Sequence, residues 1–401
     1  MRRIVVVGGG QAAATLIARL VSEGAEAEIT LICAEPRLPY QRPPLSKAYL
    51  LGEMDEQRLY LRPAGWYDEH GVRVHLSTRA IAVDAAARRV ETDGGAFDYD
   101  DLVLTTGAHP RTLPSAIGGT LDGVFAVRDL DDADAMAPAF VDGARALVVG
   151  GGYIGLEAAA VAAKRGVSVT LVEAGERILQ RVAAPQTSDF FRELHGRHGV
   201  DIREGVGLDR LVGDGHVTGA VLSDGTELPI DFAVVGVGIA PATALAESAG
   251  VEIDNGIAVD AHGRTSDPHI WAAGDCASIP LGETRVRIES VGNAIDQAEV
   301  VAQNLLGRSV TYTPKPWFWS DQYDVKLQIA GLNHGWTDLY VRDADGARSH
   351  WYFRDGRLIA IDSLSDTRAY MVGKRLLAAG QPPAPAAITD PETDRKTLLR
   401  A

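Results

Sequence analysis

Gly8-Gly9-Gly10-Gln11-Ala12-Ala13 and Gly150-Gly151-Gly152-Tyr153-Ile154-Gly155 decide how this chain folds. Each glycine run follows an apolar, β-branched stretch, residues 4–7 or 147–149, and opens a stretch rich in Ala and Leu. This order of strand, tight turn and helix is the context of a dinucleotide-binding fingerprint, because the helix N-terminus favours the charge of a pyrophosphate and glycine lets the backbone approach it. The sequence therefore predicts two Rossmann-like nucleotide-binding units. A side chain at Gly8, Gly10, Gly150 or Gly152 is predicted to block the close approach of the backbone to the pyrophosphate.

A glutamate stands about twenty residues beyond each fingerprint, where the next apolar strand ends. These are Glu35 in Ile-Thr-Leu-Ile-Cys-Ala-Glu and Glu173 in Val-Thr-Leu-Val-Glu. A carboxylate at this place accepts hydrogen bonds from a ribose 2′-hydroxyl and repels a 2′-phosphate, so Glu173 predicts NAD rather than NADP. A lone glycine-rich turn could simply connect a strand to a helix, but two complete copies favour two cofactor sites.

Composition narrows the class of protein. The chain has 401 residues, of which 46% are hydrophobic and 23% charged, as expected for a soluble globular enzyme of two or three domains. The net charge of −15 argues against nucleic acid, and no polybasic segment or long apolar stretch suggests a membrane. Met1-Arg2-Arg3 leads directly into the first strand, so we expect no secretory signal and a cytoplasmic protein.

Cysteine and histidine usage limits the redox chemistry. Only Cys33 and Cys276 occur, without C-x-x-C or C-x4-C spacing, so neither a redox disulfide nor a cysteine metal cluster is predicted. Each is interpreted as a small buried residue. His109 and the other histidines lack metal-ligand spacing, and no metal site is expected.

The chain divides into four segments by pattern. Residues 1–111 form the first nucleotide unit, 112–235 the second and 236–315 a return segment, whereas 316–401 are rich in Trp and Tyr. Alternating polar and apolar residues at 326–329 and 350–353 predict an antiparallel sheet in the last segment. The predicted fold class is α/β, with two Rossmann-like domains and a C-terminal α+β domain.

Several motifs carry a family resemblance. They are Arg42-Pro43-Pro44-Leu45-Ser46-Lys47, residues 150–157, residues 271–276, Arg287-Ile288-Glu289 and Pro316-Trp317-Phe318-Trp319-Ser320-Asp321-Gln322-Tyr323. With them the chain resembles, over nearly its whole length, the FAD-dependent NADH:ferredoxin reductases of the glutathione-reductase structural class. The resemblance implies an FAD domain made of 1–111 and 236–315, an NADH domain at 112–235, and a C-terminal interface domain at 316–401 that covers the flavin and helps to receive the ferredoxin.

The resemblance also implies roles for single residues. Those assigned to FAD are Gly8, Gly10 and Ala12 at the pyrophosphate, Glu35 at the adenosine ribose, Ala80 at the adenine, Asp275 at the ribitol or pyrophosphate, the Val291 backbone at the flavin pyrimidine, and Arg42, Lys47, Arg128 and Trp319. Those assigned to NADH are Gly150, Gly152, Tyr153, Ile154, Gly155, Glu157, Glu173 and Gly238.

Three residues are expected to be catalytic. Lys47 is implied to stand beside the flavin N5, Glu157 to pair with it near the nicotinamide, and Trp319 to lie close to the isoalloxazine. Taken alone, Lys47 could be a solvated loop residue, Glu157 a charge favoured at a helix N-terminus, and Trp319 part of the core. The two prolines before Lys47 favour the functional interpretation, because they stiffen the loop that presents it.

The expected reaction follows from two cofactors without a thiol relay. NADH gives up a hydride, and FAD converts that two-electron transfer into single electrons. The expected acceptor is an acidic [2Fe-2S] ferredoxin that supplies a cytochrome mono-oxygenase or a ring-hydroxylating dioxygenase. One non-covalent FAD per chain and a monomer or weak homodimer are expected. Arg308, Lys315 and Lys326 are candidate docking cations or merely scattered solvated charges, whereas Glu299 stands where some relatives carry a basic residue.

Two other functions remain open from the sequence. The first is a rubredoxin reductase or a flavin-dependent NADH oxidase or peroxidase, although a peroxidase of this class needs a cysteine near residues 42–47 and none is there. The second is a flavin redox sensor that does not turn over, which the complete second nucleotide site argues against.

Overall fold

The computed structural model describes residues 1–344 and 346–400, and the chain divides into two units. The first unit consists of Met1–Gln41, Asp55–His109 and Ile239–Pro316, and the second of Arg42–Met54, Pro110–Gly238 and Trp317–Ala401. The described strands are β1 (Arg2–Val7), β2 (Ala27–Ile32), β3 (Arg73–His75), β4 (Ala80–Asp84), β5 (Arg89–Thr92), β6 (Gly95–Asp98), β7 (Asp101–Leu104), β8 (Ala108–Pro110), β9 (Val124–Phe125), β10 (Arg145–Val149), β11 (Ser168–Glu173), β12 (Asp201–Glu204), β13 (Leu208–Asp214), β14 (His216–Leu222), β15 (Glu227–Pro229), β16 (Phe232–Val235), β17 (Ile239–Pro241), β18 (Ile257–Ala258), β19 (Ile270–Ala272), β20 (Ala277–Leu281), β21 (Thr284–Val286), β22 (Trp317–Gln322), β23 (Val325–Gly331), β24 (Asp338–Ala344), β25 (Ala347–Arg354) and β26 (Arg357–Leu364). The described α-helices are α1 (Gln11–Ser22), α2 (Ala64–Glu69), α3 (Leu130–Met136), α4 (Tyr153–Lys164), α5 (Pro185–Arg197), α6 (Ala244–Ser248), α7 (Val291–Leu305), α8 (Thr367–Ala379) and α9 (Pro385–Thr389).

A parallel sheet in the order β19-β7-β1-β2-β3 forms the centre of the first unit. The middle strands are near-continuous runs of Val, Ile and Leu, as expected for strands covered on both faces. Apolar side chains of α1 and α7, among them Leu16, Ile17 and Val301, are buried against one face. Because the strands are parallel, the segments that follow β1, β2, β7 and β19 all leave from the same edge of the sheet.

The second unit repeats this plan. Its parallel sheet has the order β12-β11-β10-β16-β9, with β10 in the middle. Helix α4 packs on it through Leu156 and Ala158, which are fully buried. Burial of Leu156 contributes roughly 1.5–3 kcal/mol of hydrophobic stabilisation, which helps to hold α4 on the sheet.

The C-terminal segment forms an antiparallel sheet in the order β22-β23-β26-β25-β24, covered in part by α8. The alternating stretches at 326–329 and 350–353 lie within β23 and β25. The predicted α/β fold class, with two Rossmann-like domains and a C-terminal antiparallel sheet, is confirmed.

The two units differ from the four predicted segments at two places. The C-terminal segment is grouped with Pro110–Gly238 in the second unit instead of forming a unit of its own. Arg42–Met54 belongs to the second unit, although it interrupts the first in sequence. Leu50 explains this placement, because it is buried in the same core as Leu156 and Leu327. The assignment of the four predicted domains to FAD, NADH and a partner stays a prediction.

Candidate functional site

The first fingerprint connects β1 to α1 through three glycines, of which one is required by packing and another faces open space. Gly8 has φ of +109°, and a β-carbon there would clash with the carbonyl oxygen of Thr105, so this glycine is required by the packing of the chain itself. Gly10 is the N-cap of α1, and a β-carbon there would have no atom of the described chain within 4 Å. The open space at an α1 N-terminus without a side-chain cap fits the pyrophosphate predicted for this site.

Other residues assigned to FAD lie at the same edge of the first unit's sheet. Glu35 follows β2, and its Oε2 accepts a hydrogen bond from the Tyr40 hydroxyl at 2.5 Å. Asp275 follows β19, and its backbone carbonyl accepts from Nη1 of Arg287 at 3.2 Å. Ala12 is buried in α1, and Gly274 packs so closely that a β-carbon there would lie 3.3 Å from that of Ala12.

Two assigned residues lie on other elements of the first unit. Ala80 is the first residue of β4 and pairs with Thr92 in the antiparallel sheet β4-β5-β6. Val291 is the first residue of the fifteen-residue helix α7, whose N-cap Ser290 accepts from the Asn293 N–H. Their predicted contacts with FAD stay predictions.

In the second fingerprint, too, some glycines are required by packing and one faces open space. Gly150 has φ of +106°, and a β-carbon there would clash with the carbonyl oxygen of Gly236. A β-carbon at Gly155 would clash with the carbonyl oxygen of Gly150, which is the close strand–helix packing expected of the last fingerprint glycine. At Gly152, the N-cap of α4, a β-carbon would again meet nothing within 4 Å among the described residues. From the sequence, the fingerprint glycines are expected to make room for the pyrophosphate. In the structure, Gly150 and Gly155 are required by the packing of the chain, and only Gly152 faces open space.

Glu173 ends β11 and holds the fingerprint loop. Its Oε2 accepts from the Gly151 N–H at 2.7 Å, and its Oε1 accepts from the Gly175 N–H at 2.7 Å. Each carboxylate oxygen has a second acceptor position, so these bonds are compatible with the predicted contact to ribose hydroxyls.

We expect Glu173→Ala to raise the ratio of kcat/KM for NADPH to that for NADH by about tenfold or more. The change removes hydrogen bonds from a charged acceptor, each worth about 1.5–3 kcal/mol, and it removes the repulsion of a 2′-phosphate. Steady-state kinetics with both nucleotides measures the ratio. Glu176→Ala, at an exposed neighbouring carboxylate, controls for the change in net charge. An unchanged ratio in Glu173→Ala would refute the assignment.

The remaining residues assigned to NADH lie at the start of α4, in the case of Tyr153 and Ile154, or in the turn after β16, in the case of Gly238. The ring of Tyr153 packs against that of Phe318 in a tilted arrangement, with 4.7 Å between ring centroids, and burial raises the pKa of its hydroxyl well above the usual value. Its predicted contact with NADH stays a prediction. Ile154 is 43% exposed, unusual for a large apolar side chain next to a predicted binding loop. Gly238 has φ of +100°, and its carbonyl accepts from the Arg111 N–H at 2.9 Å.

A charged cluster lies within the second unit, around Glu157 of α4. Lys47 donates from Nζ to Glu157 Oε2 at 2.6 Å, and the Ser46 hydroxyl donates to the same oxygen at 2.7 Å. The Ser320 hydroxyl of β22 donates to Glu157 Oε1 at 2.6 Å. The side chains of Lys47 and Glu157 are 15% and 3% exposed, so this ion pair is largely removed from solvent.

Local sequence explains how Lys47 reaches Glu157. Pro43 and Pro44 start a 3-10 turn that ends at Ser46, and their fixed φ suits its first positions. Lys47 Nζ also donates to the Pro43 carbonyl at 3.2 Å, which holds the side chain back over its own turn. The loop therefore presents Lys47 in one orientation.

Sequence reasoning assigned no role to Ser46 and Ser320. Both lie inside motifs quoted for the family resemblance, next to Lys47 and Trp319, and that adjacency was the only available signal. Their link to Glu157 joins residues more than one hundred positions apart.

Trp319 and the two assigned arginines also lie in the second unit. Trp319 is half-buried on β22 and stacks on Trp317, with ring centroids 5.6 Å apart. Arg42 donates from Nη1 to the carbonyl oxygen of Arg128 at 3.0 Å, and the Arg128 N–H donates to Asp132 of the α3 capping box. The arginines are thus adjacent, while the cofactor contacts of Trp319, Arg42 and Arg128 stay predictions.

Residues 1–344 and 346–400 contain no group of three or more His, Cys, Asp or Glu side chains suited to a metal ion. Cys33 and Cys276 are both buried free thiols. Within the same part of the chain, no helix has the length and apolar character needed to span a membrane.

Comparison with known proteins gives consistent matches. Residues 2–298 match the model of the pyridine nucleotide-disulphide oxidoreductase family, and residues 317–399 match the reductase C-terminal domain. A ferredoxin–NAD(P)+ reductase from Sphingomonas sp is 43% identical over 99% of this chain and 97% of its own length. Putidaredoxin reductase from Pseudomonas putida is 38% identical, again over 99% and 97%.

A solved structure agrees with these relatives. The crystal structure of the covalent putidaredoxin reductase–putidaredoxin complex superposes with a TM-score of 0.96 at 36% identity, covering 100% of this chain and 98% of that chain. The two nucleotide fingerprints with their open glycine positions and the match over the full length of the chain therefore point to the same family. The chain belongs to the pyridine nucleotide-disulphide oxidoreductase family and carries a reductase C-terminal domain.

Proposed function

We propose that this protein is an FAD-dependent NADH:ferredoxin reductase that supplies electrons to an oxygenase. FAD and a nicotinamide nucleotide are its cofactors. The observation that carries the proposal is the presence of two fingerprints whose Gly10 and Gly152 positions are open, in a chain similar throughout to ferredoxin reductases.

Different residues of the chain bind the cofactors, supply a positive charge and select the nucleotide. When bound, FAD takes two electrons from NADH and passes them on one at a time. The N-termini of α1 and α4 bind the two pyrophosphates through backbone N–H groups. Lys47, held by Glu157, supplies a fixed positive charge from a site that excludes most water, where a charge acts more strongly than in solution. Glu173 selects NADH over NADPH.

The partner we propose is an acidic [2Fe-2S] ferredoxin. The protein itself carries a net charge of −15, so association needs a local basic surface. Of the three predicted docking cations, Arg308 forms an ion pair with Glu23 at 2.6 Å in the first unit, which reduces its availability. Lys315 and Lys326 are exposed, but they belong to different units.

A clearer basic surface lies on α8. One face of this helix buries Ala369, Tyr370, Val372, Gly373 and Leu376. The opposite face exposes Arg368, Met371, Lys374 and Arg375, three cations and an apolar side chain without an acidic residue. Lys374 Nζ lies 5.4 Å from the ring centroid of Trp317, which stacks on Trp319. The exposed α8 face therefore has the charge to receive an acidic ferredoxin next to the tryptophan expected at the flavin.

We expect Arg375→Glu to raise the KM for ferredoxin by about fivefold to tenfold, since a like charge placed across an interface opposes association. The rise should shrink as salt is added, because exposed charges are screened. Ferricyanide reduction by NADH should stay unchanged, since it needs no protein docking. Arg210→Glu, an exposed arginine on β13, is the matched control. Equal KM values in the two variants would exclude this face.

The proposed function is tested by anaerobic titration of the yellow protein with NADH, followed by cytochrome c reduction with and without a panel of [2Fe-2S] ferredoxins. Flavin bleaching with strongly ferredoxin-dependent reduction of cytochrome c is the expected result. Bleaching followed only by oxygen consumption would favour an oxidase, and no bleaching would refute an NADH-dependent enzyme.

We further propose that the protein works in the cytoplasm as a monomer or weak homodimer. Two buried free thiols suit a reducing compartment. Light scattering during size-exclusion chromatography measures the mass, and a stable higher oligomer at micromolar concentration would contradict this state.

A further inference from the structure

Hydrogen bonds continue from Glu157 into the interior of the second unit, on the side away from Lys47. Ser320, which donates to Glu157 Oε1, accepts from Nε2 of Gln322 at 3.1 Å. Gln322 in turn accepts at Oε1 from Nε2 of His195 at 2.8 Å. His195, Gln322 and Ser320 have no solvent exposure, although none of them is an apolar residue.

His195, Gln322, Ser320 and Glu157 thus form a series of hydrogen bonds, called the relay here. The chemistry of these groups sets the direction of each hydrogen bond in it. An amide oxygen only accepts, so His195 carries its proton on Nε2. Burial lowers the pKa of His195 to about 4, so the ring is neutral near pH 7 and Nδ1 is an acceptor, with the Tyr323 hydroxyl 3.4 Å away. The Gln322 amide then points its N–H at Ser320, whose single proton is left for Glu157. All donors are directed toward the carboxylate.

The relay also joins elements that are distant in sequence. His195 lies on α5, Gln322 and Ser320 on β22, and Glu157 on α4. Buried polar networks whose groups are satisfied restrain their members, and aligned hydrogen bonds polarise one another. Because Ser320 restrains Oε1, the other carboxylate oxygen stays directed at Ser46 and Lys47.

We propose that His195 and Gln322 are positioning residues for the Lys47–Glu157 pair, acting through Ser320. They hold the one carboxylate orientation in which Glu157 keeps Lys47 Nζ in place. The inference rests on the proposed function, because the step it affects is reduction of the flavin by NADH.

The test is a double-mutant cycle on the purified FAD-containing protein. Stopped-flow measurement of flavin bleaching gives the limiting rate and the apparent Kd for NADH for wild type, His195→Leu, Ser320→Ala and the double variant. We expect His195→Leu to lower the limiting rate about threefold to tenfold, the range of one buried hydrogen bond, with less than about a twofold change in Kd. The double variant should lose no more than Ser320→Ala alone, because residues acting in series are not additive. His195→Gln should restore most of the rate, since an amide N–H can replace the imidazole N–H.

A second readout follows Lys47 directly and needs no turnover. Reductive methylation followed by mass spectrometry should label Lys47 faster in His195→Leu and in Ser320→Ala than in wild type. The exposed Lys315 should be labelled at the same rate in all of them. Thermal unfolding monitors the fold, and if His195→Leu does not fold, Gln322→Met takes its place in the cycle.

Three outcomes would overturn the relay. In the first, His195→Leu changes neither the limiting rate of flavin bleaching nor the labelling of Lys47. In the second, the rate losses of the single variants add in the double variant. In the third, His195→Leu and His195→Gln lose the same fraction of the rate. Failure of the proposed function is a separate result, because wild type itself would then show no bleaching by NADH.

Discussion

Gly152→Val is expected to abolish reduction of the flavin by NADH while leaving FAD bound and the protein folded. Gly152 has φ of −79° and ψ of 179°, which a β-branched residue adopts without strain, and its β-carbon would enter open space. That space is where the pyrophosphate is proposed to meet the α4 N-terminus. Losing two charge-assisted hydrogen bonds corresponds to roughly 3 kcal/mol or more, so kcat/KM for NADH should fall at least about a hundredfold.

Two related variants make this result specific. Gly150→Val is expected to destabilise the fold, because it adds a positive-φ strain of about 1–3 kcal/mol to a clash with the Gly236 carbonyl. Gly10→Val is expected to release FAD, since Gly10 is the equivalent open position in the first unit. Flavin absorbance after gel filtration, thermal unfolding and NADH kinetics separate the three effects. Loss of FAD in Gly152→Val would show that the two nucleotide sites are assigned in reverse.

Glu157→Leu is expected to slow flavin reduction by NADH about a hundredfold and to lower stability by about 3 kcal/mol. The substitution leaves a largely buried Lys47 ammonium and the Ser46 and Ser320 hydroxyls without their shared acceptor, and breaking a buried ion pair by removing one partner costs about 3–5 kcal/mol. The rate is expected to fall because the Lys47 charge, which is proposed to lie near the reacting atoms, is no longer held in place; removal of a preorganised oxyanion-hole donor has an effect of about 10²–10³.

Glu157→Gln separates the two effects of the previous substitution. The amide oxygen still accepts hydrogen bonds, so stability should recover by more than half while the rate of flavin reduction stays low. Stopped-flow bleaching and thermal unfolding measure the two quantities, and Glu193→Gln, at an exposed glutamate on α5, controls for the loss of a carboxylate. A normal rate in Glu157→Leu would remove Glu157 from the proposed mechanism.

Much of the fold was predictable from local pattern. The β-branched runs before each glycine cluster became the central strands β1 and β10, and the Ala-rich stretches became α1 and α4. Alternation in the last segment predicted strands that form part of an antiparallel sheet. These signals are readable because hydrophobic periodicity and glycine placement act over a few neighbouring residues.

The charged site was only partly predictable. The resemblance placed Lys47 and Glu157 together, and the structure contains that ion pair. It said nothing of Ser46, Ser320, Gln322 or His195, whose side chains meet Glu157 directly or in series. No pattern along the chain marks a buried histidine on α5 as a neighbour of a strand more than one hundred residues later.

The sequence by itself determined two nucleotide-binding units of parallel strands, an antiparallel C-terminal sheet, and two cysteines too few and too scattered for a redox relay. Only the tertiary structure decided that Gly8 and Gly150 serve packing while Gly10 and Gly152 face open space, and that segment 42–54 packs with the second unit. It alone also decided which polar side chains surround Glu157. The physical reason is range: strand and helix preferences are set by residues a few positions apart, whereas a steric gap or a buried hydrogen bond depends on atoms brought together from distant parts of the chain.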